Sequence, residues 1–258
     1  SDPIEEARRL YVDQLDIAAM AERAHERRAK GEGPIVIWDV GMGAATNAMA
    51  ILGAIEGALA NAMRSEVPGG EGVDPLFRIE SFECDLDSFR LATLHPYRFR
   101  YLQHPAPFAI VREGKWRSAC GRIEWILLEG DFRRTAETAR APDVVLFDPF
   151  SFKVDSPLWE VETFRELRKR TEPKDCELFT YSNSTLVRGR LLAAGWYVAA
   201  GVGTGPKSET TIAANRPARP RNWLGTEWLG RWERSGVRAA ELDAQVVSHP
   251  QFSPRSTA

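Results

Sequence analysis

The sequence predicts an α/β protein built around a doubly wound sheet of about seven strands. Short apolar runs, of the kind buried on both faces of a parallel sheet, recur along the 258-residue chain. Helical segments separate most of these runs, as parallel strands require. A glycine turn, Gly41-Met42-Gly43, follows the first apolar run, as in folds that bind nucleotides at the carboxyl edge of a sheet.

The first half of the chain begins with a helical stretch rich in Ala, Arg and Glu, which Pro34 ends. The predicted elements are a helical lead over 4–30, a strand over 35–40, a helix over 46–64, a loop over 67–75, a strand over 77–82 and a helix over 86–94. The next stretch, 95–122, carries several prolines and aromatic residues, and we interpret it as an insertion.

The second half continues the alternation and ends in a glycine-rich hairpin, which makes the last strand antiparallel. Its predicted elements are strands over 124–128, 144–147, 177–181, 196–200 and 209–213, and helices over 132–139, 157–170 and 186–194. The predicted organisation is therefore a helical lead (1–34), a main domain (35–214) and a C-terminal tail (215–258). The tail contains Trp223, Trp228 and Trp232 near one helical face, which favours packing over a substrate role.

Composition excludes several classes of protein. The formal charge of -2 argues against a globally basic nucleic-acid binder, although a local basic patch stays compatible with it. No apolar run has the length of a membrane helix, and no signal peptide is recognisable. The three cysteines and four histidines show no spacing typical of metal ligands. We expect a cytoplasmic, metal-free protein with reduced, buried thiols.

The glycine turn is a candidate ligand site. Gly41 and Gly43 allow the backbone to turn sharply and to approach a ligand without a Cβ in the way. A G-x-G turn also occurs for purely structural reasons, so the turn alone leaves both interpretations open. The P-loop pattern G-x-x-x-x-G-K-[ST] is absent from the sequence, which excludes a nucleotide triphosphatase of that type.

Acidic residues follow three further predicted strands. Glu83 could accept hydrogen bonds from both ribose hydroxyls of an adenosine, as acidic residues do in dinucleotide folds. Asp131 could accept one from the adenine amino group, although capping a helix is the alternative for it. Asp148 stands at the mouth of the sheet, where it could orient an amine nucleophile and take up its proton. Together they favour S-adenosylmethionine as the cofactor.

Four stretches of the chain resemble the MnmC-type methyltransferases, which complete the 5-methylaminomethyl-2-thiouridine modification at the tRNA wobble position. These stretches are Ile4 to Tyr11, similar to E-E-[ST]-R-x-V-F; Gly41 to Asn47, similar to G-F-G-T-G-x-N; Phe147 to Lys153 with Leu158-Trp159, similar to D-x-F-[AS]-P-x-K-x-P-x-[LM]-W; and Phe179 to Glu209, similar to F-T-x-[SA]…V-R-x-x-L-x-x-A-G-F…G-x-G-x-K-x-E. Their order and spacing are specific and cover most of residues 4–214.

The resemblance implies a Rossmann-like class I methyltransferase without the flavin oxidoreductase domain of some members. The cofactor contacts it implies are Glu6, Gly41, Gly43, Asn47, Glu83 and Asp131, and the catalytic residue is Asp148. For a tRNA substrate, Phe150 could stack on a base, and Lys153, Arg188 and Lys207 could meet phosphates, with solvated surface as the alternative for the cations.

The sequence departs from the family pattern in places that concern the substrate more than the cofactor. Ala45 replaces the last glycine of the turn, and Phe152 replaces the usual proline. The stretches 67–75 and 95–122 have no place in the pattern, and the chain begins inside the first family motif. Other functions therefore stay open. They are methyl transfer to another amine, peptide or small molecule, aminopropyl transfer, and a catalytically silent cofactor-binding subunit that associates with RNA.

Overall fold

The structure, a computed structural model, describes residues 2–62, 74–149, 156–172, 174–204, 207–238 and 240–253. Contacts divide the chain into two compact units, 1–149 and 150–258. The predicted loop over 67–75 falls mainly outside the described residues.

The first unit contains a five-stranded sheet in the order β3-β4-β2-β1-β5. Its strands are β1 (Ile35–Val40), β2 (Phe77–Glu83), β3 (Lys115–Arg117), β4 (Ile123–Glu129) and β5 (Val144–Phe147). Strand β1 pairs in parallel with both β2 and β5, so the strand order reverses beside it. Ligands bind at such a reversal point in open α/β sheets, beyond the carboxyl ends of the strands.

The central strand of this unit is fully buried. All six residues of β1 lie in the core, which explains the continuous apolar run in the sequence. Rings of Trp38, Phe82, Phe132 and Phe147 make edge-to-face contacts around the ends of β1, β2 and β5. This aromatic packing supports the edge of the sheet that carries the glycine turn.

The helices of the first unit are α1 (Pro3–Ala7), α2 (Ile17–Ala29), α3 (Thr46–Ala62), α4 (Asp87–Thr93), α5 (Pro105–Glu113) and α6 (Phe132–Thr135). The predicted helical lead is interrupted: a π-helical segment, Arg8–Val12, follows α1, and Asp16 then caps α2 through the backbone N–H of Ala19. The break arises because the Asp16 side chain supplies a new helix start.

The predicted insertion 95–122 is ordered. It contains a 3₁₀ turn at Arg100–Gln103, helix α5 and strand β3, which pairs antiparallel with β4 at the edge of the sheet. His104 begins α5 by accepting a hydrogen bond from the Ala106 N–H, and Gly114 ends it in a left-handed conformation.

The second unit contains four antiparallel strands in the order β6-β8-β7-β9. They are β6 (Glu177–Thr180), β7 (Tyr197–Gly201), β8 (Thr210–Ala214) and β9 (Asn222–Trp223), and the helices are α7 (Val161–Arg170), α8 (Thr185–Ala193), α9 (Thr226–Glu233) and α10 (Ala240–Val247). Strands β7 and β8 form the predicted glycine-rich hairpin.

The tryptophan-containing tail packs within the second unit. Trp228 and Trp232 are buried and stack on each other, and Trp228 also stacks on Phe252. Trp232 lies directly over Gly189 of α8, where a Cβ would come within 2.3 Å of the indole ring. The packing interpretation of the tail therefore agrees with the structure, and Gly189 is the residue that makes room for it.

The predicted α/β class is confirmed, but the strand count is larger than seven. The described residues form nine strands, because two short edge strands, β3 and β9, carried no apolar run that would predict them. The expectation of buried thiols is wrong for Cys84, which is exposed, whereas Cys176 is buried and Cys120 is half-buried. Cys84 follows the last residue of β2, where the chain leaves the core.

Within the described ranges, no helix is both long and apolar enough to cross a membrane. The same part of the chain contains no group of three or more His, Cys, Asp or Glu side chains arranged to hold a metal ion.

We expect Gly189→Ala and Gly57→Ala to change stability in opposite directions. The Gly189 variant should lower the free energy of unfolding by about 2 kcal/mol, because its methyl group overlaps the Trp232 ring. Gly57 lies on an exposed side of α3 with nothing near its Cβ position, so alanine should add about 0.5–1 kcal/mol. Chemical denaturation of the full chain measures both values, and equal effects would contradict the packing described here.

Candidate functional site

The glycine turn leaves β1 in close contact with the segment that follows β5. Gly41 has φ 82°, and a Cβ there would lie 2.5 Å from Pro149 Cα and 2.6 Å from the Asp148 carbonyl oxygen. The Gly41 N–H donates to the Phe82 carbonyl at 3.0 Å, and the Asp148 N–H donates to the Val40 carbonyl at 2.9 Å. Only glycine fits this position, and its small size brings Asp148 to the turn.

The rest of the turn has an open side. Gly43 has φ 53°, and no atom of the described residues lies within 4 Å of its Cβ position. Ala45, where the family pattern has glycine, adopts the left-handed conformation at φ 61° with its side chain buried. An L-residue in that conformation costs about 1–2 kcal/mol, so the turn carries strain that the rest of the fold sustains.

Glu83 holds the turn from the end of β2. Its Oε2 accepts a hydrogen bond from the Gly43 N–H at 3.0 Å, and its Oε1 accepts from the N–H groups of Cys84 and Asp85 at 2.8 and 3.1 Å. The side chain is buried. Each carboxylate oxygen has more than one acceptor position, so these bonds leave capacity for further donors such as ribose hydroxyls.

Asp148 and Tyr11 meet beside the turn. Asp148 follows β5 and is half-buried, whereas Tyr11, in the π-helical segment, is fully buried. Burial raises the pKa of Tyr11 well above its usual value, and the negative charges of Asp148 and Asp39 raise it further. The Tyr11 hydroxyl therefore stays protonated; within the described residues it is buried without a hydrogen-bond partner, so it is available as a donor near the Asp148 charge.

Asp39, the penultimate residue of β1, is a second buried carboxyl group at this edge. Burial, followed by the charges of Asp148 and Glu83, raises its pKa to about 7, against the effect of a hydrogen bond from Ser81. Ser81 Oγ donates to Asp39 Oδ2 at 2.8 Å, and the indole of Trp125 donates to Ser81 at 2.9 Å. Within the described residues, Asp39 Oδ1 is buried without a hydrogen-bond partner.

Three further predicted cofactor contacts lie in the same unit. Glu6 is half-buried on α1, and its charge contributes to the raised pKa of Tyr11. Asn47 is half-buried in the first turn of α3. Asp131 caps α6 and forms an ion pair with Arg133 at 2.8 Å, which lowers the pKa of its carboxyl group. The capping alternative for Asp131 is thus realised, and its adenine contact stays a prediction.

The predicted substrate residues belong to the second unit. Arg188 is buried and donates to Thr211 Oγ1, Glu209 Oε1 and the Thr210 carbonyl at 2.7–2.9 Å. This arrangement favours a structural role that ties α8 to β8, and it argues against both the predicted phosphate contact and the alternative of a solvated surface cation. Lys207 Nζ donates to the Tyr181 carbonyl at 3.0 Å and lies 3.6 Å from the Tyr181 ring centroid.

Phe150 and Lys153, predicted to contact a base and a phosphate, lie outside the described residues, and their roles stay predictions.

The residues of the first unit fit an adenosine-containing cofactor. The open side of Gly43 leaves backbone accessible, Glu83 retains acceptor capacity, and Asp39 carries an orphaned buried oxygen. The carboxylates of Glu83, Asp148 and Asp39 also suit a cofactor that bears a positive charge, as a sulfonium does. S-adenosylmethionine matches this set of groups.

Comparisons with known proteins agree with this chemistry. Residues 99–216 match the model of a family described as S-adenosyl-L-methionine-dependent methyltransferases. MnmC2 from Aquifex aeolicus has a similar structure, with a TM-score of 0.59 and 22% identity over 86% of this chain and 66% of that chain. Thermus thermophilus TrmN (TM-score 0.39, 12% identity) aligns over 75% of this chain and 47% of its own.

The O-methyltransferase TomG from Streptomyces achromogenes, solved with S-adenosylmethionine, also aligns, with a TM-score of 0.38 and 12% identity over 83% of this chain and 89% of its own. No match to the chain is found among curated proteins.

The fold, the glycine turn and the family match define an S-adenosylmethionine-dependent methyltransferase domain with the class I architecture. Within this class, the predicted likeness to the MnmC-type methyltransferases is confirmed, since the chain shares its fold with MnmC2. The chain spans slightly less than two thirds of that relative, and at this level of identity the likeness establishes the fold alone.

Sequence reasoning missed two residues of the site, Asp39 and Tyr11. Asp39 is the one charged residue in the strand run Ile35–Val40, and a charge inside a strand buried on both faces is a recognisable signal. Tyr11 stands where the family segment has phenylalanine, so its hydroxyl is an addition of this chain. It lies in the π-helical segment, which no sequence pattern indicated.

We expect Gly41→Ala to damage the site far more than Gly43→Ala. The Gly41 variant forces a methyl group into the backbone of Asp148 and Pro149 and should lower the free energy of unfolding by about 3 kcal/mol. The Gly43 variant meets no neighbouring atom and should lose only about 1 kcal/mol through its left-handed φ. Thermal denaturation compares the two, and a larger loss for Gly43 would refute the contact.

We expect Asp39 to make stability depend on pH. Its pKa is about 7 in the folded chain and about 3.9 when unfolded. Between these values only the folded state binds the proton, so its stabilising contribution is complete below about pH 4 and is lost as the pH rises towards about 7. Relative to Asp39→Asn, the wild type should lose stability across this window. Denaturation curves at several pH values provide the test, and parallel pH profiles would argue against the buried acid.

Proposed function

We propose that the chain is an N-methyltransferase that methylates the aminomethyl group of a modified wobble uridine in tRNA. The placement of Asp148 carries the proposal: its backbone lies against the glycine turn after β5, and its negative charge acts on the nearby Tyr11 and Asp39 side chains. The four sequence stretches that resemble MnmC-type enzymes, and the fold shared with MnmC2, support this substrate class.

An amine acceptor explains why a carboxylate stands at this position. An alkylammonium has no free lone pair, so the acceptor nitrogen must lose a proton before or during methyl transfer. Asp148 accepts an N–H of the amine, which orients the nitrogen lone pair, and takes up the released proton. Bound S-adenosylmethionine would supply the electrophilic methyl group.

Neighbouring side chains influence the charge and hydrogen bonding of the Asp148 carboxylate. The buried Tyr11 hydroxyl keeps its proton and is a donor available to the Asp148 carboxylate. Asp39 below the turn changes charge near neutral pH, which modulates the negative potential around Asp148. Glu6, Asn47, Glu83 and Asp131 are proposed to contact the cofactor, and Phe150, Lys153 and Lys207 the RNA. A tRNA substrate agrees with a cytoplasmic location.

Labelled methyl transfer tests the proposed function. The full chain is incubated with S-adenosylmethionine carrying a labelled methyl group and with bulk tRNA that lacks the final methylation. Parallel reactions contain small amines or peptides in place of tRNA. Label at the wobble nucleoside alone is the expected result. Label in a small amine or peptide and none in tRNA would contradict the tRNA substrate and identify the other acceptor. Transfer to no acceptor would favour the catalytically silent cofactor-binding subunit.

We expect Asp148→Asn and Asp148→Ala to lower kcat by at least about 100-fold, because neither side chain can take up the proton. Cofactor affinity, measured by calorimetry, should change little. Asp87→Asn is the matched control, since it removes an exposed carboxylate at the start of α4 and should retain full turnover. Turnover of the Asp148 variants at the wild-type rate would remove this residue from the catalytic role.

A further inference from the structure

The segment 90–117, here called the basic arm, has a charge opposite to that of the chain. It holds a single acidic residue, Glu113, whereas the whole chain has a net charge of -2. Its cations are all exposed: Arg90, Arg98, Arg100, Arg112, Lys115 and Arg117. Positive charge concentrated in this way attracts polyanions irrespective of the net charge of the protein.

Among the described residues, half of these cations have no ion-pair partner. Within the part of the chain that the structure describes, Arg98, Arg100 and Lys115 form no ion pair. Arg90, by contrast, lies 3.8 Å from Asp87, and Arg112 pairs with Glu113 at 2.6 Å. The unpaired cations can bind phosphate without first breaking a salt bridge.

The basic arm also exposes apolar and aromatic side chains. Five of the eight large hydrophobic side chains that are exposed among the described residues lie within it: Leu91, Leu94, Tyr97, Phe108 and Val111. Tyr97 is 67% exposed, and its hydroxyl lies 3.1 Å from Nδ1 of His95, a contact that restricts the motion of the ring. Unpaired bases stack on exposed aromatic rings of this kind, whose motion is restricted and which lie next to arginine.

The basic arm is attached next to the cofactor turn. Tyr101 Oη donates to the Ala44 carbonyl at 3.3 Å and accepts from Thr46 Oγ1 at 3.0 Å, so it bonds to both sides of Ala45. His104 contacts Glu56 of α3 at 3.2 Å. The basic arm is therefore anchored beside the turn that carries the proposed cofactor site.

We propose that the basic arm binds the single-stranded loop of the RNA that is methylated, with phosphates on Arg98, Arg100 and Lys115 and an unstacked base on Tyr97. This proposal rests on the proposed function and adds to it the surface that selects RNA. Cations without partners favour a phosphate backbone over a neutral protein surface. The exposed ring favours a loop over a duplex, because bases in a duplex are already stacked.

RNA binding without methyl transfer tests the proposal. Fluorescence anisotropy measures the binding of a fluorescein-labelled anticodon stem-loop RNA, with uridine at the wobble position, to the full chain over a range of salt. We expect the double variant Arg98→Ala/Arg100→Ala to bind about tenfold more weakly. The salt dependence of log K against log salt should also become shallower by about 1.4, roughly 0.7 for each lost phosphate contact on a single strand.

The matched control removes the same charge elsewhere. Arg28 and Lys30 are exposed at the end of α2, before β1, whose far end carries the glycine turn. Arg28→Ala/Lys30→Ala should therefore leave RNA affinity unchanged. Tyr97→Ala should weaken loop binding about fivefold or more, whereas Tyr97→Phe retains the ring and should bind as the wild type does. Affinity for a duplex RNA should not respond to either change at Tyr97.

Each outcome decides the proposal independently of the proposed function. Wild-type affinity in the arginine double variant would overturn it, as would a wild type that binds no RNA and instead self-associates in sedimentation through the same surface. Loss of RNA binding in the double variant supports the basic arm even if no tRNA is methylated. Methylation of the wobble uridine with an unchanged KM in the double variant would retain the proposed function and reject the basic arm.

Discussion

The contact between Gly41 and the Asp148–Pro149 backbone is the constraint on which the site depends. No side chain fits between these segments, so the turn after β1 and the segment after β5 meet backbone to backbone. The approach places Asp148 where the strand order reverses and leaves the far side of the turn, at Gly43, open. Cofactor turn and proposed catalytic carboxylate are thus positioned by one contact. Glu83, at the end of the neighbouring strand β2, fixes the other side of the turn by accepting a hydrogen bond from the Gly43 N–H.

The parts of the fold that could be predicted are those with a strong local signal. The buried runs at β1 and β5 and the glycine hairpin between β7 and β8 are close to their predicted ranges, because each is apolar and bounded by glycine, proline or aspartate. Strands β3 and β9 could not be predicted, since both are short edge strands with polar residues that neighbouring strands recruit. Their pairing is a tertiary effect.

The sequence predicted which types of side chain form the site, but not all of the residues that they contact. The carboxylates of Glu83 and Asp148 followed from their places at the ends of strands, and the structure puts the Glu83 carboxylate and the Asp148 backbone at the turn. Arg188 looked like a surface cation because its partners, Thr211 and Glu209, are distant in sequence. The raised pKa of Asp39 likewise depends on strands that enclose it from both sides. Burial of this kind arises from the assembled sheet, and its one mark in the local sequence is a charged residue within an apolar run.

Because the segment Arg8–Val12 is π-helical, the position of Tyr11 depends on the number of residues in that segment. A π-turn holds one residue more than an α-helical turn, and such turns recur at functional sites. Loss of that residue would restore an α-helix and rotate the following side chains by about 100°. Tyr11 would then leave Asp148, although none of the residues around the carboxylate had changed. A single-residue deletion between Arg8 and Val12 would thus separate Tyr11 from Asp148 in this chain without a change to the sheet.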